Sequence, residues 1–406
     1  MCYIKPVKKI TGFFVCKFRN YCYIAPENII RKICKSLVMN IINIFILFIL
    51  SMNFAVFAQD ITGTVYDKTT GEPVVDAHVY LNGTSYFTTT SDSGTFHLKV
   101  TNKINTQFII SHLLYETMTI DAPYEKEIST LYLTVKRNIL DQLVIKPAER
   151  YTNREKMAAF EVQFLGDNRA GKSCKILNKD DIQLIHDEKQ RTLFARCAGP
   201  IIVENEYLGY RVHVLLSDFQ ICYAHGRTLN KNDIVSFSLQ NTNFFTDLSS
   251  QNNVIKKRRD EAYKISANYF FKSMAAKTIR RTNHIICNIN IFKTVNLKIN
   301  NNNPERAYQI DPNQYFDITD HGLGKTVRIK PGTDINKNTD KMHLYPYPIS
   351  GVITVFDPAG NRSEIVFLTE EFTVDSFGLI DKKDYVYVSG NMFNLRIGNM
   401  VPLDYE

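Results

Sequence analysis

Short apolar segments separated by turn residues fill the chain from Asp60 to about Lys136. Each segment is rich in β-branched or aromatic residues, and Gly, Asn, Asp or Pro stands between neighbours. The predicted strands are 61–66, 77–81, 86–90, 96–100, 107–112, 117–120 and 130–135. Strands this short, at regular spacing and with no helical periodicity among them, are typical of an antiparallel β-sandwich.

The chain after residue 150 mixes helical and strand patterns. We expect one helix from Tyr151 through Glu161 and a second from Asp260 to Arg281, where apolar residues recur at helical spacing. Strands are predicted at 350–356, 363–369, 385–389 and 392–397, with a turn at 357–361 and a loop at the Asn-rich run 300–304. This mixture predicts a larger α+β domain with a mostly antiparallel sheet.

An apolar block near the start of the chain has the form of a secretory signal. The block Ile41–Leu50 follows basic residues and leads to the small-residue site at Ala58, so cleavage is predicted between Ala58 and Gln59. A retained membrane anchor is the alternative. The first 38 residues are unusually long and basic for a signal, and we interpret them as an over-extension of the reading frame, with the working start near Met39.

The net charge of +8 is concentrated before the predicted cleavage site. Eight of the 49 basic residues and one of the 41 acidic residues precede Ala58, which leaves 41 against 40 in the remainder. A nearly neutral body lacks the broad positive field that nucleic-acid binding requires. We therefore expect no nucleic-acid partner.

Four ordered motifs carry a resemblance to a known family. These are Ile61–Asp67, Gly71–Val74, Ala77–Leu81 and Thr90–Phe96. Together they resemble the carboxypeptidase-like regulatory domain, a transthyretin-like (Ig-like) β-sandwich found at the front of many envelope proteins of Gram-negative bacteria, including TonB-dependent receptors. The resemblance implies a non-catalytic module. The chain after it is too short for a plug and a full transmembrane barrel.

The later part of the chain resembles a long carboxy-terminal region often paired with this sandwich in secreted proteins. The residues that carry this resemblance are 164–178, 204–210, 259–263 and 270–274. That region has no assigned activity that could be transferred. The predicted organisation is an extension and signal peptide at 1–58, the sandwich at 59–136, a linker at 137–150 with a short strand at 140–145, and a mainly β, α+β domain of unknown function at 151–406.

One motif matches a phosphate-binding loop. Gly166, Gly171, Lys172 and Ser173 fit the pattern Gly-x-x-x-x-Gly-Lys-Ser. The chemistry also needs a strand before the loop, which 160–165 could supply, and a helix after it, which 174–177 could begin. A turn at 178–181 would stop that helix early, so we expect a polar surface loop after a helix rather than a nucleotide site.

Four cysteines follow the signal: Cys174, Cys197, Cys222 and Cys287. In an oxidising compartment they could pair in three ways, and the sequence does not choose among them. Buried free thiols are the alternative. No Cys-x-x-Cys pair occurs, so neither a zinc site nor a redox site is predicted.

The chain lacks common catalytic sequence motifs, which points away from an enzyme. The chain has no His-x-x-Glu pair of a zinc carboxypeptidase, no His-Glu-x-x-His and no Gly-x-Ser-x-Gly elbow. Its paired carboxylates are neighbours in sequence, so on a strand they point to opposite faces. The basic run 256–259 is expected to be a solvated charged turn, with an anionic partner as the alternative.

The expected function is therefore an exported, non-catalytic binding or scaffold protein of the periplasm, outer membrane or cell surface. Its expected partner is another envelope protein or a glycan. No cofactor or metal is expected, and membrane contact would come only through the signal segment or a partner. Two alternatives stay open: an envelope hydrolase acting on glycan or peptide, and a nucleotide binder through residues 166–173.

Overall fold

In the computed structural model the chain divides into two compact units, residues 1–57 and 58–406. The described residues are 9–10, 13–18, 21–26, 60–136, 150–248, 252–282, 284–287, 311–322, 324–331, 349–393 and 395–405. The first unit contains three antiparallel strands: β1 (Lys9–Ile10), β2 (Phe13–Phe18) and β3 (Tyr21–Pro26). The predicted signal, with Ala58 and Gln59, lies outside the described residues.

A seven-strand sandwich opens the second unit. Its strands are β4 (Ile61–Asp67), β5 (His78–Leu81), β6 (Phe87–Thr89), β7 (Thr95–Leu98), β8 (Phe108–His112), β9 (Tyr115–Ile120) and β10 (Thr130–Leu133). They form sheets of order β10-β4-β7 and β6-β5-β8-β9. All seven predicted strands are confirmed. One pairing departs from the antiparallel expectation, because the first and last strands, β4 and β10, run parallel.

Turn residues with specific backbone requirements connect the strands of the sandwich. The Asp67 carboxylate accepts hydrogen bonds from the backbone N–H groups of Thr69 and Thr70, at 2.6 and 3.0 Å. Gly94 has φ +70° and lies so close to β4 that a Cβ there would meet Val65 O at 2.5 Å. Only glycine fits at that position without displacing backbone.

A helix and a six-stranded sheet form the second layer. Helix α1 (Asn153–Leu165) begins at a capping box between Thr152 and Glu155, as a Thr-x-x-Glu sequence favours. The other elements are α2 (Arg169–Lys172), β11 (Cys174–Ile176), β12 (Ile182–Asp187), β13 (Thr192–Cys197), β14 (Ile201–Asn205), β15 (Tyr210–Tyr223) and β16 (Ile234–Asp247). The strand order is β11-β14-β15-β13-β12, and β16 pairs along the other edge of β15. Phe160 and Phe164 pack from α1 into the core of this sheet.

The last part of the chain has its own hydrophobic core. Its elements are α3 (Asn253–Lys264), α4 (Ala267–Ala275), β17 (Ile285–Cys287), α5 (Pro312–Tyr315), β18 (Phe316–His321), β19 (Gly324–Ile329), β20 (Gly351–Phe356), β21 (Arg362–Phe367), β22 (Glu371–Val374) and β23 (Val386–Gly390). Two antiparallel sheets, β17-β20-β21-β23 and β18-β19-β22, enclose this core together with α4. The predicted fold class, a sandwich followed by a larger α+β region, is confirmed.

Two local predictions in this region are wrong. The helix expected over 260–281 is two helices, because Ser266 caps the second one by accepting a hydrogen bond from Tyr269 N at 3.2 Å. The strand expected over 392–397 is a turn followed by a short 3₁₀ helix at Ile397–Asn399. The Asn-rich run 300–304 lies outside the described residues.

The basic run 256–259 is helical, so the predicted charged turn is also wrong. It lies within α3, and Arg259 is only 5% exposed. The Arg259 guanidinium donates to both carboxylate oxygens of Asp247, at 2.7 and 2.9 Å, and its Cζ lies 3.8 Å from the centre of the Tyr210 ring. A residue that looked like part of a solvated face therefore fixes α3 to the end of β16.

Candidate functional site

The β5–β6 turn of the sandwich docks on the free edge of β16. Gly83 N donates to Asn243 O at 2.7 Å, and Phe245 N donates to Thr84 O at 2.9 Å. Gly83 has φ +77°, which an Asn-Gly turn supplies at little cost. The carboxy-terminal tail contacts the same turn, since Leu403 N donates to Gly83 O at 2.8 Å.

Side chains reinforce this junction. The Tyr80 and Thr242 hydroxyls are 2.7 Å apart, and Ser85 N donates to Asp404 Oδ1 at 2.8 Å. Tyr80, Ile109 and Phe244 form a buried apolar cluster that joins the sandwich to the six-stranded sheet. The sandwich is therefore packed against the α+β region through a shared core.

Two histidines and an aromatic ring extend this packing. The His213 ring stacks on Phe244 with centroids 4.5 Å apart, and the His78 ring lies 6.2 Å from that of His213. Burial, the neighbouring His78 and Arg211 lower the pKa of His213 to about 4. His213 is consequently neutral at physiological pH and acts there as an aromatic packing group.

A cleft of about 370 Å³ lies beside this junction. The sandwich turn, β16, the α3–α4 connection, the segment around Phe377 and the carboxy-terminal tail all contribute to its wall. Three of the lining residues, Asn82, Gly83 and Thr106, come from the sandwich, so this wall of the cleft depends on its docking.

Amide side chains dominate the polar part of the cleft wall. Five of the residues that line it are asparagines: Asn82, Asn241, Asn243, Asn268 and Asn399. Asn243 is 4% exposed, and its Oδ1 has no hydrogen-bond partner among the described residues. A buried amide oxygen without a partner costs about 1–3 kcal/mol, and because this atom has almost no exposed surface, a donor would reach it only after the neighbouring side chains moved.

The cleft carries almost no charge. Lys383 is the single charged residue among the described residues that line it, and Asp, Glu and His do not occur among them. An acid/base pair of the kind that glycosidases or peptidases use is thus not assembled from these residues.

A second, larger cleft of about 550 Å³ lies between α1 and the segment around Leu229. Tyr223 lines it, and its hydroxyl has no partner among the residues described. Burial raises the pKa of Tyr223 to about 12, so the hydroxyl stays protonated. The cations at its rim are paired, Lys231 with Asp167 and Arg227 with Glu188. Both walls belong to the α+β region alone.

The segment that matches the phosphate-binding loop has a different geometry. It follows helix α1, not the strand that residues 160–165 could have supplied, and residues 174–176 form strand β11, not a helix. The side chain of Lys172 is exposed and lies 3.1 Å from Asp167 Oδ1, and Ser173 Oγ donates to Arg169 O. The helix before the segment is as predicted, but residues 169–172 form the short helix α2 with Ala170 and Gly171 buried, so the segment is not a surface loop throughout.

Close backbone packing accounts for the glycines of that segment. Gly166 ends α1 with φ +103°. A Cβ on Gly398 would meet Gly171 Cα at 2.6 Å, so the two backbones touch where the tail crosses α2. The N–H groups of Gly171 and Lys172 donate to Asn168, to its Oδ1 and its carbonyl O at 2.9 Å each, so they are not available to cradle a phosphate.

The three cysteines whose side chains are described, Cys174, Cys197 and Cys222, are free thiols in the structure. Burial raises the pKa of Cys174 to about 12 and raises that of Cys197, which makes both poor nucleophiles. The Cys287 side chain lies outside the described residues. A disulfide between any of the four stays a prediction.

Comparison with known proteins identifies one domain. Residues 61–145 match the CarboxypepD_reg-like domain, so the chain carries a carboxypeptidase-regulatory-like sandwich at the place where the motifs predicted one. The match continues past the predicted end at 136 and includes the predicted strand 140–145, which lies outside the described residues. No curated protein matches the chain.

The described residues contain neither a candidate membrane-spanning helix nor a candidate metal-binding cluster. None of the helices there is both long and apolar enough to cross a membrane. No group of three or more His, Cys, Asp or Glu side chains in that part of the chain is placed to hold a metal ion.

Sequence reasoning missed the residues that form the junction cleft. Asn82 and Gly83 stand between the predicted strands 77–81 and 86–90, where the sequence indicates only a turn, and Asn241 and Asn243 stand in a strand that was not predicted. The signal that was available is the spacing of the two asparagines, since residues two apart on a strand share a face. Asn is depleted in β-strands, so two Asn side chains on one face of a strand indicate a role other than packing.

Proposed function

We propose that the protein is a non-catalytic binding protein of the Gram-negative cell envelope, and that its ligand occupies the junction cleft. The observation that carries this proposal is a pre-formed, nearly uncharged cleft whose wall contains five asparagines, one of which, Asn243, has a buried Oδ1 without a partner among the described residues. Pre-formed clefts with a few converging polar groups are where proteins commonly bind small ligands.

The sandwich has a defined part in this proposal. Its β5–β6 turn supplies one wall of the cleft and its core is continuous with that of the α+β region through Tyr80 and Phe244. The matched domain is a regulatory-like, non-catalytic module, which agrees with a wall-forming role. The signal-like block at Ile41–Leu50 supports the envelope location.

A retention assay tests the binding function. The purified protein is incubated with polysaccharide and peptide fractions from a Gram-negative envelope, and both bound material and new products are measured by mass spectrometry. We expect retention without products. Turnover that disappears when one Asp, Glu or His is replaced would make the protein a hydrolase and overturn the proposal.

A pair of variants tests the place of binding. Asn268→Trp puts a large ring into the cleft, and Lys264→Trp adds the same ring at an exposed position outside it. Retention should fall at least about tenfold in the first variant and stay unchanged in the second. Equal retention by both would place the ligand elsewhere. Cell fractionation that finds the protein in the cytosol would refute the envelope location.

A further inference from the structure

Two neighbouring amides define the hydrogen-bonding character of the cleft. Asn243 Nδ2 donates to Asn241 Oδ1 at 2.8 Å, and Asn243 N donates to Asn82 Oδ1 at 3.0 Å. An amide pair joined by one such bond keeps one C=O acceptor and one N–H donor for other partners, whichever of the two amides is the donor. The pair therefore has both a spare donor and a spare acceptor, and the acceptor, Asn243 Oδ1, becomes available to a ligand once its neighbours move.

The rest of the wall is almost uncharged and mixes apolar residues with hydroxyl-bearing ones, Thr106, Tyr263 and Ser266. Phe377, Leu395, Met400 and Val401 line the cleft beside the amides, and Lys383 at the exposed rim is its single charged residue among those described. An anion would find one cation there, and a peptide strand would need a row of backbone groups. A hydroxyl group, in contrast, both donates and accepts, and so satisfies the amide pair by itself.

From this combination we propose that the junction cleft binds a neutral, hydroxyl-rich ligand, an uncharged oligosaccharide segment. One sugar hydroxyl, or two adjacent ones, would donate to one amide oxygen and accept from the other amide's N–H. The C–H face of the ring would pack on the apolar wall around Phe377. This inference rests on the proposed binding function and specifies the ligand class of the same site.

The absence of Trp from the chain offers a direct measurement. Lys383→Trp places a single fluorescent reporter at the rim and removes the rim's charge at the same time. The probes are neutral hexaoses of glucose, mannose and N-acetylglucosamine, with hexagalacturonate and tri-alanine for comparison. We expect at least one neutral hexaose to shift the Trp emission, and calorimetry on the unaltered protein to detect binding of the same hexaose while hexagalacturonate gives no heat.

A matched pair of leucine variants then tests the amides. Asn241→Leu removes half of the pair, and Gln240→Leu makes a similar change at the adjacent exposed residue, which points to the opposite face of β16. Hexaose affinity should fall about tenfold in the first variant and stay unchanged in the second, as loss of one or two hydrogen bonds implies.

The other outcomes overturn the inference in distinguishable ways. Binding of hexagalacturonate or tri-alanine without any neutral hexaose would refute the ligand class and leave the binding function standing. An equal loss in both leucine variants would mean that the amides do not contact the sugar. If no probe binds, the inference fails, and retention of envelope material by the unaltered protein decides the proposed function separately.

Discussion

Replacing Arg259 by leucine is expected to cost the protein about 4 kcal/mol of stability. The guanidinium donates to Leu208 O at 2.6 Å, to Gly209 O at 2.9 Å and to both oxygens of Asp247. Two buried carbonyls left without a donor cost about 1 kcal/mol each. The ion pair adds about 1–2 kcal/mol, less than a fully buried one because the Asp247 side chain is 35% exposed, and stacking on Tyr210 adds about 0.5–1 kcal/mol.

Urea denaturation followed by far-UV circular dichroism measures this cost, and the adjacent Arg258 provides the control. Arg258 makes one long hydrogen bond, 3.4 Å to Tyr207 O, and lies over the Tyr207 ring. Arg258→Leu should therefore cost about 1 kcal/mol or less. If Arg259→Leu also stayed within about 1 kcal/mol of the unaltered protein, the structural role of the basic run would be wrong and an anionic partner would have to be considered.

Three further predictions follow from the junction and from the loop at α2. The free energy of unfolding should fall by about 1–2 kcal/mol as the pH drops from 6.5 towards 4, because the pKa of His213 is about 6.5 in the unfolded chain and about 4 in the folded protein, so protonation favours unfolding. Urea midpoints at both pH values test this, and His213→Gln should reduce the dependence of stability on pH. Phe244→Ala should cost about 3–5 kcal/mol, measured by the same denaturation, and a cost below about 1 kcal/mol would mean that the sandwich does not share a core with the sheet. Gly398→Val should lower the free energy of unfolding by about 2–3 kcal/mol or more, because its Cβ would lie 2.6 Å from Gly171 Cα, whereas Lys172→Ala should change it by less than about 1 kcal/mol. Calorimetry with magnesium and ATP should give no heat for the unaltered protein. Heat that Lys172→Ala abolishes would instead support a nucleotide site in this segment.

The sandwich was predictable because its determinants are local. Alternating apolar residues mark its strands, and Asp67, Gly83 and Gly94 mark turns whose geometry depends on those residue types. The parallel pairing of β4 with β10 was not predictable, since it joins the first and last strands of the domain. Sequence spacing says nothing about which distant strands become neighbours.

The α+β region was harder to predict for a similar reason. The two longest strands are β15, which alternates between buried and half-exposed residues over most of its length, and β16, which is half-exposed or exposed until Asn243; both include polar residues such as Asp218 and Asn241. Their extended form depends on pairing with each other along 14 residues, which local propensity does not encode. The break between α3 and α4 depends on a single serine cap.

The match to a phosphate-binding sequence pattern also did not predict the local geometry. The pattern from Gly166 to Ser173 fits a phosphate-binding loop, but its glycines meet backbone and its lysine meets Asp167. The pattern gives the residue types that a phosphate cradle needs, and the flanking elements decide whether their N–H groups converge. Here the preceding element is a helix, and the N–H groups of Gly171 and Lys172 donate to Asn168 instead.

The docked sandwich explains why the candidate site was invisible before the fold was known. An edge strand as long as β16 exposes unpaired backbone groups that invite pairing with other chains. The β5–β6 turn and the carboxy-terminal tail cover that edge around Asn243, and the cleft is the space they leave. Tyr80 and Thr242 meet there across a sequence separation of 162 residues. Protection of the edge and formation of the cleft are thus one structural event, so a substitution that undocks the sandwich should abolish ligand binding even when both parts stay folded.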